Sequence, residues 1–205
     1  MAERFKTVLL FGAPGAGKGT QGELIGNVPG FYHMSTGDMF RSLDRSSEAG
    51  QKFEHYSSRG ELVPDEVTIE LWQEHMDRLI AEGAYDPATT ILILDGLPRN
   101  VAQAKVIEPL IEILAVIHLN AKDREAMVAR LRQRALKQNR ADDAKEDVVR
   151  NRLDIYERDT RPVLDVYDNS LVHDVDAINT MAMVMSEVLA ILAPLQAKHM
   201  RIDGA

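Results

Sequence analysis

Gly12-Ala13-Pro14-Gly15-Ala16-Gly17-Lys18-Gly19-Thr20 fits the spacing G-x-x-x-x-G-K-[ST]. Glycines let the chain wrap with its N–H groups turned inward onto phosphate oxygens, and a helix beginning near Gly17 adds the positive end of its dipole. In such a cradle Lys18 reaches the β- and γ-phosphates of a nucleoside triphosphate, and the Thr20 hydroxyl helps to hold Mg²⁺. The bland alternative is a glycine-rich turn that binds nothing, but strand, loop, Lys and Thr are all in place. A second motif is Ile91-Leu92-Ile93-Leu94-Asp95, an apolar run ending in a carboxylate of the kind that orders Mg²⁺ or its waters. It continues into Gly96-Leu97-Pro98-Arg99, which places a cation beside the metal site.

Such a loop works only where a buried strand feeds a helix, so the surrounding elements are the next concern. Short apolar runs rich in branched residues fall at residues 7–11, 91–94, 115–119 and 170–175, with a weaker one at 31–34. They predict buried strands. Helical spacing appears in Val67, Leu71, Met76, Leu79 and Ile80 after Pro64 at a first helical position, and again in Met181, Val184, Met185, Val188 and Leu192. The methionine-rich second stripe reads as core packing. Strands alternating with helices predict an α/β fold of the P-loop type: a parallel five-stranded sheet with helices on both faces and ligands at the carboxyl ends of its strands.

Two segments do not fit the alternation and read as small insertions between core elements, at about residues 35–63 and 130–141. The core then comprises about 1–34, 64–129 and 142–205 of one domain. Residues 124–152 hold nine Lys and Arg against five Asp and Glu, a local charge of +4 within a chain of net −8. Alone, such a stretch reads as a solvated helix face.

Composition narrows the partners. With 205 residues, 45% hydrophobic and 27% charged, the chain can bury an ordinary core. An overall charge of −8 opposes general affinity for nucleic acid or anionic membranes, so phosphate chemistry must rely on local cations. The absence of cysteine excludes disulfides and cysteine-held zinc. Glu3, Arg4 and Lys6 precede an apolar run that leads into the glycine loop and not into a cleavage site. No run approaches the ~20 apolar residues that cross a bilayer. The expectation is a cytoplasmic protein.

The phosphate loop alone leaves switches, motors and kinases open. The guanine-reading Asn-Lys-x-Asp of a GTPase-type switch is missing from the chain. Taken together, GAPGAGKGTQ at 12–21, STGDMFR at 35–41, GELV at 60–63, DGLPRNVAQ at 95–103 and the arginines from Arg130 to Arg152 resemble the adenylate kinase family, in its order and over nearly the whole chain. The resemblance implies reversible phosphoryl transfer, ATP + AMP = 2 ADP, with Mg²⁺ and without zinc, by a monomer with a short lid at 130–141 and an AMP-binding insertion at 35–63. It implies ATP contacts at Gly12, Ala13, Gly15, Ala16, Gly17, Lys18, Gly19, Thr20, Arg130, Arg134 and Ala177. It implies AMP contacts at Thr36, Arg41, Glu61, Leu62, Val63, Gly96, Leu97, Pro98, Arg99, Gln103, Arg140 and Arg152. Lys18, Arg99, Arg134, Arg140 and Arg152 are the implied catalytic cations, and Thr20 and Asp95 the implied metal partners, Asp95 through water. Leu97 departs from the family's usual Phe.

Several residues keep two readings. Asp142 and Asp143 resemble the acidic pair after the lid, while Asp143 with Glu146 also makes a capping box. Thr36 and Gln103 suit an adenine edge, which pyrimidine-specific relatives usually meet with Ala and Asn. Yet Thr36 could be a helix N-cap and Gln103 an exposed helix residue. A UMP/CMP kinase is the nearest competing function, and a slow nucleotide-dependent switch or regulatory module is the competitor from another class. The chemistry needs no general base, because the attacking group is already an anionic phosphate oxygen. Its needs are positioning, charge stabilisation and exclusion of water.

Overall fold

The computed structural model describes residues 4–138, 143 and 145–199. Five strands, β1 (Phe5–Gly12), β2 (Phe31–Ser35), β3 (Ile91–Asp95), β4 (Ile111–Asn120) and β5 (Val172–Asp176), pair in parallel in the order β2-β3-β1-β4-β5. All five predicted strands are present. In the last, Leu171 and Ser170 sit in the preceding turn, where Ser170 N–H and Leu171 N–H are held by Asp168.

Around the sheet lie α1 (Lys18–Gly26), α2 (Thr36–Arg41), α3 (Glu48–Ser57), α4 (Asp65–Ala81), α5 (Val101–Ile107), α6 (Arg124–Gln138), α7 (Glu146–Ile155) and α8 (Met181–His199). A π-turn at Tyr156–Thr160 and a 3₁₀ segment at Arg161–Val166 lead from α7 toward β5. Alternate residues of β1 enter two separate cores, as strand geometry requires of a sheet covered on both faces. Val8 and Leu10 join Ile25, Met127, Leu131, Val149, Val184, Val188 and Leu192. Leu9 and Phe11 join Met39, Ile69, Trp72, Met76, Leu79 and Ile107.

Element ends set the site. From β1 the chain crosses to β2 on one side, whereas from β3 it crosses to β4 on the other, so the crevice beside the carboxyl ends of β1 and β3 is a topological switch point. Leu10 lies level with Asp95, and Asp95 level with Ser35, so the loop after β1 and the carboxylate of β3 emerge at one edge.

Details depart from the expectations in instructive ways. The stripe of α4 is rotated by about one residue: Ile69, Trp72, Met76 and Leu79 are buried, while Val67, Leu71 and Ile80 pack at its margin. Pro64 is the N-cap residue of that helix and not its first turn. Helix α6 runs unbroken through residue 130, with Leu131 fully buried, so the expected lid boundary falls inside a core-packed helix. Arg140 and Asp142 lie outside the described residues. Helix α8, contrary to the sequence expectation, is long and apolar enough by length and composition to span a bilayer. It packs on the sheet through Val184, Val188 and Leu192, while Met181, assigned to the core from its spacing, is 58% exposed.

Candidate functional site

Beyond β1 the chain turns at Gly17, whose φ of +99° is a left-handed conformation that glycine adopts without steric cost, and α1 starts at Lys18. Lys18 folds back over the loop, its Nζ donating to Gly12 O at 2.6 Å and Ala13 O at 3.3 Å. Burial pushes its ammonium down from the ordinary lysine value to about 8; nearby Asp95 opposes this, and Arg99, Arg134 and Arg152 add to it. These five residues therefore share one electrostatic neighbourhood. Asp95 is 7% exposed, with His33 Nε2 3.9 Å from its Oδ2.

Asp143 organises two of the cations. It is fully buried and accepts from Arg134 Nε at 2.7 Å and from Arg152 Nη1. The N-cap of α7 is Lys145, so the capping-box reading of Asp143 is set aside in favour of an arginine-holding role. Three other arginines of this stretch are ion-paired on its outer face: Arg150 with Glu125 and Glu146, Arg124 with Asp154, and Arg132 with Glu146. The stretch is thus both things the sequence allowed, a solvated face and a set of inward cations.

A cavity of about 590 Å³ collects these groups, within the size range of small-molecule sites. Gly12, Gly15, Ala16, Gly17, Lys18, Gly19 and Thr20 line it, as do Arg130, Arg134, Arg152 and Ala177. Arg130 Nη1 donates to Ala177 O at 3.0 Å, which joins α6 to the loop after β5. Thr36, Arg41, Glu61, Leu62, Val63, Asp95, Gly96, Pro98, Arg99 and Gln103 line it as well. Ala13 and Leu97 point instead into the two cores, leaving only their backbones for ligand contact.

At the second end of the cavity the helix caps decide which side chains are free for recognition. Ser35, not Thr36, caps α2, accepting from Asp38 N–H at 3.2 Å. Thr36 is 1% exposed, and its hydroxyl donates to Asp95 O at 3.3 Å. Asn100 caps α5 by accepting from Gln103 N–H at 2.8 Å, and Gln103 is itself 1% exposed, which removes the bland reading of both residues. Gly96 has φ +87°, and a Cβ there would stand 2.5 Å from Thr36 Oγ1. Arg99 Nε donates to Gly96 O at 2.8 Å, while Thr160 Oγ1 donates to Arg99 O at 2.7 Å.

Sequence reasoning missed Thr160 and Lys137, which line this cavity, and Asp65, which holds the lining residue Gln103 from behind. Lys137 was within reach, since 130, 134 and 137 repeat the helical spacing of the two arginines already singled out. Asp65 and Thr160 come from distant chain segments with no local signal.

A family model described as adenylate kinase matches residues 10–172. Among curated proteins, the adenylate kinase of Kocuria rhizophila is 38% identical over 191 residues, spanning 90% of this chain and 97% of its own length. That of a Synechococcus species is 38% identical over 192 residues, spanning 91% and 98%. That of Mycobacteroides abscessus is 39% identical over 175 residues, spanning 85% and 92%.

Proposed function

The chain belongs to the adenylate kinase family, and we propose that it catalyses reversible phosphoryl transfer from ATP to AMP, giving two ADP. The observation that carries the reading is that one cavity is lined by the phosphate loop, by Thr36 and Gln103, and by the cations Lys18, Arg99, Arg134 and Arg152. Two polyphosphates meeting end to end repel one another, and fixed guanidinium groups answer that repulsion with planar, permanently charged donors.

In this assignment ATP occupies the loop at residues 12–20, with its base toward Arg130 and Ala177. AMP lies against Thr36, Arg41, the backbone of 61–63 and Gly96 to Gln103. An AMP phosphate oxygen attacks the γ-phosphorus, and the bond from that phosphorus to the β–γ bridging oxygen breaks. ADP departs from each side, and no protein group exchanges a proton. Lys18 and the arginines hold the equatorial oxygens, where charge develops. Arg140 is assigned to the same cluster by family resemblance.

Asp95 and Thr20 suit Mg²⁺. Among the described residues no three acidic or imidazole groups converge, and one carboxylate with one hydroxyl matches an ion held mainly by water and nucleotide phosphates. When bound, Mg²⁺ supplies charge neutralisation on the β- and γ-oxygens. The ion pairing of Arg124 and Arg150 and the net charge of −8 leave no broad basic face for nucleic acid, which supports small nucleotides as the partners; a cytoplasmic monomer rests on the family resemblance.

The test is ADP formation from ATP with AMP, CMP, UMP or GMP as acceptor. AMP is expected to have a kcat/KM at least a hundredfold above the others. A value for CMP or UMP equal to that for AMP overturns the assignment in favour of a pyrimidine monophosphate kinase.

A further inference from the structure

We propose that Asp65 is a specificity-determining positioning residue: it locks the side-chain amide of Gln103 in one orientation, so that the acceptor site takes a 6-aminopurine and refuses a 6-oxopurine. The inference rests on the reading of Gln103 as the group that meets the acceptor base. Gln103 lies on α5 and Asp65 in the first turn of α4, 38 positions apart, yet Gln103 Nε2 donates to Asp65 Oδ1 at 2.7 Å. On its other side Gln103 Oε1 accepts from Arg99 N–H at 2.7 Å. Asn100 Nδ2 donates to both oxygens of Asp65, at 2.9 and 3.1 Å, and holds the carboxylate in place.

The two anchors are one-way groups. A backbone N–H only donates, and a carboxylate only accepts. Turning the amide over would set Nε2 against the N–H and Oε1 against the carboxylate, two contacts with no hydrogen bond in either. This settles the O/N assignment of Gln103 by its partners, the way such assignments must be made.

An amide has two N–H donors and two acceptor lone pairs, and the anchors use one of each. The other N–H and lone pair remain for a base, in an order the anchors fix. Adenine offers an exocyclic N–H beside a bare ring nitrogen, which complements an acceptor and a donor in that order. Hypoxanthine and guanine offer a carbonyl beside a ring N–H, the reverse order. A free glutamine could turn over and serve both; one clamped by Asp65 cannot. Cytosine repeats the adenine pattern, so the lock separates amino from oxo bases and leaves purine against pyrimidine to the shape of the recess.

The experiment compares kcat/KM for AMP with that for inosine monophosphate, which differs from AMP at the purine 6-position and the adjacent ring nitrogen alone. Asp65→Ala is expected to lower the AMP preference about five- to twentyfold, by raising the KM for AMP and improving use of inosine monophosphate, with the KM for ATP unchanged. Asp65→Ser, whose side chain is too short to reach Nε2, is expected to do the same and stands in if the alanine variant folds poorly. Asp65→Asn keeps an acceptor at the Oδ1 position and is expected to retain most of the preference. In a Gln103→Ala background, Asp65→Ala is expected to change the preference by less than twofold, as for two residues acting through one contact.

If Asp65→Ala and Asp65→Ser lower only the melting temperature, or lower the preference equally with and without Gln103, Asp65 is structural and the proposal is wrong. If Gln103→Ala alone leaves the preference intact, the underlying reading of Gln103 is what fails.

Discussion

Lys18 gives the most direct handle on the charge design of the site. Its ammonium is held near 8 chiefly by burial, against an unfolded value near 10.4. Phosphate oxygens placed on it restore the charged form, so nucleotide binding above pH 8 must take up a proton. At pH 8.5 about a quarter of nucleotide-free molecules carry the charge, and binding should take up about 0.7 proton; at pH 7 the figure falls to about 0.1. Affinity should decline through the same window, by about tenfold at pH 9, which is about 1.4 kcal/mol. The assay is titration calorimetry of a bisubstrate analogue in buffers of different ionisation enthalpy, with Lys18→Met as the control that lacks the titrating group. Uptake below about 0.2 proton at pH 8.5, or uptake that survives in Lys18→Met, refutes the reasoning. Stability of the nucleotide-free protein should move oppositely. The folded state binds fewer protons at Lys18 than the unfolded chain between about pH 8 and 10.4, so this residue's penalty is complete below 8 and fades as pH rises. The full shift corresponds to about 3 kcal/mol. The true cost is smaller, since the residue as a whole keeps some accessible surface.

Removing the carboxylate in Asp143→Ala strands two arginines in a partly closed site. Loss of a buried partner costs about 3–5 kcal/mol, discounted here to about 2–3 because the side chains of Arg134 and Arg152 are 29% and 19% exposed. A melting temperature lower by about 4–12 °C is expected, with a smaller deficit when a bisubstrate analogue supplies the missing negative charge; an unchanged melting curve contradicts this. Gly96→Ala drives a Cβ against Thr36 Oγ1 and within 3.1 Å of Arg99 Nη2, at a backbone conformation that alanine resists. Initial rates should show kcat/KM for AMP lower by at least about tenfold, with the KM for ATP little changed, and equal losses for both nucleotides would count against a monophosphate recess there.

Local signals in the sequence carried much of this. The strand, glycine loop and helix at 5–26 were legible because each residue's conformational demand is met by its immediate neighbours. The five strands were legible because a doubly covered sheet needs continuous apolar runs. Three kinds of feature were not. The sequence offered Thr36 as the cap of α2, but Ser35 fills that place because Thr36 faces the buried end of β3. The role of Asp143 depended on where Arg134 and Arg152 stand after α6 and α7 pack, whereas its spacing to Glu146 suggested only a cap. Contacts such as Asp65 with Gln103, or Thr160 with Arg99, join segments 38 and 61 positions apart. Only the packing of α4 and the 3₁₀ segment against α5 brings them together.

Five described cations of the site have acceptors within the protein: Lys18 on the carbonyls of Gly12 and Ala13, Arg99 on Gly96 O, Arg130 on Ala177 O, Arg134 and Arg152 on Asp143. Those contacts limit how far phosphate binding can lower the ground state, because protein hydrogen bonds must be exchanged for nucleotide ones. The exchange is worth most where the new partner carries more charge than a carbonyl, as the phosphoryl group does while it transfers between two nucleotides. Binding energy is thereby shifted from the ground state toward the transition state, the condition for raising kcat and not merely lowering KM. On this account the neutral acceptors should yield readily and the carboxylate of Asp143 should not. Arg134 and Arg152 then act as a held pair with Asp143 as their hinge point, and Lys18 and Arg99 as the groups that change partners.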